Sequence, residues 1–169
     1  NNTDSTSTIM SDTNSMNHAM TSDTSTINSD TKDFVNEAAA GGMMEVELGN
    51  VAIKNSSTSR VKDFGKMMVD DHTKINDQLK DLASGKNIEL PTTVTHDQQK
   101  DIDKLSKETG SEFDKDYVSM MVDDHQKDID AFKKAADKTT DPDIKSFVTN
   151  TIPVLQKHLN AIQAIQKMM

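Results

Sequence analysis

Cysteine and tryptophan are missing from the 169-residue chain, tyrosine occurs once and proline three times. Without cysteine there are no disulfides, no thiolate metal ligands and no thiol nucleophile, and the redox compartment stays undecided. Lys and Arg total 19 against 28 Asp and Glu, a net charge of −9. A nucleic-acid or anionic-lipid partner would want a basic face, so neither is expected. No apolar run approaches the roughly 20 residues that a membrane-spanning helix needs. Phosphate loops, glycine-rich nucleotide fingerprints and nucleophile–base pairings are also missing. Glycoside hydrolysis would need paired carboxylates in a cleft, for which a helical core has no obvious place.

Residues 1–31 contain no aromatic residue and are mostly Ser, Thr, Asn and Asp. Such a stretch buries too little apolar surface to offset its ordering entropy, so it reads as a disordered polar tail. Residues 32–169 are the right length for one domain. The chain opens on Asn1, with no signal peptide, and reads as a processed or trimmed form. Whether a lipid-bearing cysteine once preceded Asn1 is left open.

Apolar periodicity predicts helices over 33–55, 58–84, 97–109, 112–138 and from Pro142 onward. Asp33 or Thr31 is placed to cap the first, and Pro142 suits the first position of the last. The Gly41–Gly42 pair inside the first helix costs about 1 kcal/mol per glycine, which close approach of a neighbouring helix would offset. Pro153 should kink the last helix ahead of His158. Short turns join the first two and the last two long helices, so each pair is an antiparallel hairpin. The 27 residues between Ser84 and Glu112 are enough to traverse the bundle and return to its starting end. The expected fold is all-α, a ferritin-like four-helix bundle with a long crossover that contains a short extra helix. An internal echo agrees: MMVDDH occurs at Met67–His72 and again at Met120–His125, offset by 53 residues.

Each long helix carries one ionisable residue on its apolar seam. The seams read Phe34, Ala38, Gly41, Glu45, Leu48, Ala52; then Val61, Gly65, Met68, His72, Ile75, Leu79, Leu82; then Val118, Val122, His125, Ile129, Phe132, Ala136; and Ile144, Val148, Thr151, Leu155, His158, Ile162, Ile165, Met169. Glu45, His72, His125 and His158 lie near their helix midpoints, which puts them in one layer of the core. Three imidazoles and a carboxylate there want a partner, and a transition-metal ion fits. The count suits tetrahedral zinc first, with copper or iron also acceptable. Asp71 and Asp124 precede two of the histidines, and each would either extend the shell or hold a histidine ring N–H. Glu47 should face away, and His18 and His96 are poor candidates. The Glu-x-x-His of di-iron bundles is missing, since Val69, Val122 and Leu155 stand three residues before the histidines. Binding or storage is therefore expected rather than turnover. The alternative is a metal-free polar network that sets helix register. The Met pairs at 43–44, 67–68 and 120–121 read as gap-fillers, with Cu(I) ligation as the alternative.

The strings DFVNEAAAGGMMEVELGNVA, MMVDDHTKIN, FDKDYVSMMVDDHQKDI and IPVLQKHL resemble the bacterial family called domain of unknown function 4142. The likeness runs in order over residues 32–166. It implies a ferritin-like bundle that is exported to the periplasm or outer membrane, and it implies no reaction. The family's recurring glutamate and histidine positions match Glu45, His72, His125 and His158, with Asp71 and Asp124 beside them.

Overall fold

The computed structural model describes residues 27–169; of the polar tail expected over 1–31, residues 1–26, His18 included, lie outside the described residues, while Ser29–Thr31 belong to the first helical turn. Five helices follow in order: α1 (Ser29–Asn55), α2 (Ser59–Gly85), α3 (His96–Ser106), α4 (Gly110–Lys138) and α5 (Pro142–Gln166). Among the described residues, no helix is long and apolar enough to cross a membrane.

Side-chain oxygens start four of these helices. Asn28 accepts from the Thr31 N–H, so α1 begins ahead of the expected Asp33, and Thr31 is a buried first-turn residue rather than a cap. Thr58 accepts from the Val61 N–H, and Thr95 and Gln98 form a capping box on α3. Asp141 accepts from Asp143 and Ile144, with Pro142 just inside the start of α5. The helix expected over 97–109 ends at Ser106, and Gly110, which lay outside both expected helices, opens α4 at φ 64°. Helix α5 continues unbroken through Pro153.

Contacts at the helix ends establish the topology. At one end, the Asn55 side chain donates to the Ser106 and Glu108 carbonyls, and Asp114 accepts from Ser57. At the other, the Lys86 ammonium lies 2.8 Å from both Asp141 and Asp143. The start of α2 therefore adjoins the start of α4, and the end of α2 adjoins the α4–α5 turn. Helices α2 and α4 run parallel across the bundle diagonal, while α1 packs on α2 and α4, and α5 on α2 and α4. This is the crossover arrangement expected from the linker lengths.

Glycines let α1 and α2 approach closely, at Gly42 of the pair singled out in the sequence and, backbone to backbone, at Gly49 and Gly65. A Cβ on Gly49 would lie 2.7 Å from the Gly65 carbonyl, and one on Gly65 would lie 2.7 Å from the Gly49 carbonyl. Gly42 leaves room for the Asn76 side chain, whereas Gly41 meets nothing within 4 Å. Helix α1 is buried over a wider arc than one seam: Val35, Ala39, Gly42 and Gly49 are inside, while Phe34, Ala38 and Gly41 are only half-buried. Met169, expected on the α5 seam, is 62% exposed.

Two aromatic clusters bracket the middle of the core. Phe34, Phe132 and Phe147 pack toward one end, with centroid distances of 4.9 and 6.2 Å along the chain of contacts. Phe64, Phe113 and Tyr117 pack toward the other, with Phe113 stacked on Tyr117 at 5.3 Å. The ionisable layer lies between them.

Candidate metal centre

His72 is the central residue of α2, His125 lies one residue past the centre of α4, and His158 is on the second half of α5. The repeated hexapeptide explains how two of them meet. In both copies the second Met and the His are buried, the first Met is half-buried, and the first Asp is exposed. Because α2 and α4 are parallel, the two copies present their imidazoles at one height from opposite corners of the bundle.

The three rings form a triangle, with centroids 5.9 Å apart for His72–His125, 5.3 Å for His72–His158 and 5.4 Å for His125–His158. One ring nitrogen from each can be chosen so that all three lie within 4.8 Å of one another. His125 and His158 have no exposure and His72 has 3%. Among the described residues this is the grouping of three or more His, Asp or Glu compact enough to hold one ion.

Hydrogen bonds determine which ring nitrogens keep a free lone pair. The Met121 carbonyl lies 2.8 Å from His125 Nδ1. A carbonyl can only accept, so Nδ1 carries the proton and Nε2 keeps its lone pair. Asp71 Oδ2 lies 2.9 Å from His158 Nε2, which leaves His158 Nδ1 with the lone pair. His125 Nε2, His158 Nδ1 and both nitrogens of His72 are buried with no hydrogen-bond partner. Burial holds the His72 imidazole well below its ordinary pKa, reinforced by the neighbouring His158 and His125. Burial also lowers His125, to about 4, against an opposing pull from the Met121 carbonyl. His158 is lowered by burial too, with Asp71 opposing. All three rings are thus held neutral, the state in which imidazole ligates metals.

The carboxylates border the layer without joining the compact group. Glu45 is buried, but its Oε1 lies 3.8 Å from His125 Nδ1, the nitrogen already committed to Met121, and Glu45 is not in the compact group. Its Oε2 has no partner. Burial, then Asp128 and Asp124, raise its pKa well above the usual carboxylate range. Asp71 is bonded to His158 and lies outside the group, as does Asp124, whose pKa is raised mainly by burial. Glu47 and His96 are exposed, as expected.

Sequence reasoning missed two groups coupled to Glu45. Asp128 is half-buried on α4 and pushed up to about 7 by burial and by Asp124. Tyr117 is fully buried, its hydroxyl has no partner, and Glu45 adds to the rise of its pKa. Asp128 follows Asp124 by one helical turn, and that spacing was the available signal.

The same fold occurs in solved structures at low sequence identity. A crystal structure of a DUF305 fragment from Deinococcus radiodurans matches with a TM-score of 0.74 and 9% identity, covering 85% of this chain and 99% of that one. CopM in the Cu(II)-bound form matches with a TM-score of 0.66 and 13% identity, covering 82% and 97%. No curated protein matches the chain. The family model for a domain of unknown function (DUF4142) matches residues 16–165, and the chain belongs to that family.

Proposed function

We propose that this protein binds one transition-metal ion in its core through His72, His125 and His158, and that it handles or stores the ion rather than turning over a substrate. One observation carries the reading: four ring nitrogens in a single buried layer have no hydrogen-bond partner from the protein. A metal-free register network would be expected to satisfy its own polar atoms, because an unpaired buried group costs about 1–3 kcal/mol. Free lone pairs on three clustered neutral rings are the arrangement a metal ion needs.

Imidazole nitrogen suits zinc and copper alike. The expected preference for zinc counted Glu45 as a fourth ligand. With Glu45 outside the compact histidine group, three neutral nitrogens are the ligands counted, and copper stands level with zinc. CopM is named in a Cu(II)-bound form, but at 13% identity only its fold bears on this chain, so the choice of metal rests on ligand chemistry. We further propose a bacterial-envelope setting, as the family resemblance implies, and fractionation of cells checks it.

The test is metal content of untagged protein after equilibration with Zn(II) or Cu(II) and removal of excess. One tightly held ion per chain is expected in the wild type and none in the His72→Leu, His125→Leu, His158→Leu triple variant. A folded wild type that retains no ion overturns the reading.

A further inference from the structure

We propose that Asp71, on the seam between α2 and α5, is the uptake port through which cations reach the histidine layer. The inference rests on the metal-binding reading above and concerns how the site is loaded.

The three rings are sealed from solvent, with exposures of 0 to 3%. An incoming cation must therefore pass a group that touches both water and the layer. The Met121 carbonyl, bonded to His125 Nδ1, lies within the backbone of α4. Glu45, also beside His125, has a side chain only 4% exposed. Asp71 differs from both: it is hydrogen-bonded to His158 at 2.9 Å, yet its side chain is 23% exposed. Exposed Asp70 precedes it in the chain, so two carboxylates stand where α2 meets solvent.

Lys157 supplies the counterweight. Its ammonium lies 4.0 Å from Asp71 Oδ2, and its side chain is 67% exposed. At that distance and exposure the ammonium is a weak partner that a divalent cation displaces without breaking a buried contact. Asp71 and His158 come from different helices, so a small turn of the His158 ring at this bond opens a path across the α2–α5 seam. Neither α1–α2 nor its glycine-mediated backbone contact needs to move. Once the ion is seated, Asp71 again holds His158 Nε2–H and keeps Nδ1 turned inward.

Uptake of Cu(II) by metal-free protein, followed by stopped-flow absorbance at low and high salt, tests this. Asp71→Asn keeps an acceptor for His158 Nε2–H but loses the charge. Uptake should slow about tenfold or more at low salt, and the salt dependence should flatten. Asp71→Glu should restore most of the rate, and Asp124→Asn, which removes a carboxylate bonded to none of the rings, should stay within about twofold of wild type. If Asp71→Asn loads as fast as wild type, or Asp124→Asn slows as much, the port is wrong while metal binding stands. If wild type takes up no Cu(II), both readings fall together.

Discussion

Removing His125 should change how the metal-free fold responds to acid, and the size of that change follows from its burial. In the folded chain His125 titrates near 4, against an ordinary value of 6.5. The unfolded chain therefore binds this proton first, and stability is lost as pH falls from 6.5 toward 4. At about 1.4 kcal/mol per pH unit, that gap corresponds to about 3 kcal/mol. His72 and His158 are shifted the same way and add to the loss. Asp128 works against them: its folded value near 7 lies above the ordinary 3.8. The folded state keeps that proton longer, so Asp128 gains stability as pH falls from 7 toward 3.8. The two slopes overlap, and a wild-type curve alone would conceal both. The informative quantity is the difference between wild type and His125→Leu, measured as urea unfolding free energy with chelator present. Relative to the variant, wild type should weaken by about 3 kcal/mol between pH 7.5 and 4. Parallel curves across that range would refute a neutral, buried His125.

Four further outcomes are expected. Asp128→Asn should stabilise the protein at pH 8 by about 1–2 kcal/mol, after discounting the shift for its partial exposure, and leave a steeper acid loss in denaturant titrations. Zn(II) or Cu(II) at about a hundred times its Kd should add about 2.7 kcal/mol and raise the Tm by several degrees, an effect that the triple histidine variant lacks in calorimetry. Asp71→Ala, which removes the acceptor for His158, should weaken metal affinity about 10- to 100-fold in competition titrations, whereas Glu45→Gln should leave affinity nearly unchanged. Gly49→Ala should cost about 1–3 kcal/mol by forcing α1 off the Gly65 carbonyl, while Gly41→Ala, facing open space, should gain up to about 1 kcal/mol in thermal unfolding.

Linker lengths and seam periodicity were enough to anticipate the crossover bundle, because short turns between long amphipathic helices leave few packings open. The histidine layer was legible for the same reason: His72 and His125 sit in identical hexapeptides on parallel helices, so phase and height agree. What escaped was whatever depends on side-chain direction within the layer. A seam identifies that Glu45 is buried but not which edge of His125 it meets, since a helical side chain leans toward the N-terminus and α1 runs antiparallel to α4. The glycine expectation held for Gly42, which faces Asn76 of α2, but missed the backbone contact of Gly49 with Gly65 about two turns further on. The α1 seam was drawn too narrow because α1 packs on α2, α3 and α4 together. Asp128 stayed hidden because an aspartate in an acidic helix usually faces solvent.

Anomalous diffraction from a crystal equilibrated with Zn(II) or Cu(II) tests the metal centre most directly. A single strong peak is expected inside the triangle of rings, about 2.0–2.1 Å from His125 Nε2, His158 Nδ1 and one nitrogen of His72, with Asp71 still bonded to His158 Nε2. Peaks confined to surface carboxylates, with the three rings left unliganded in the core, would contradict it.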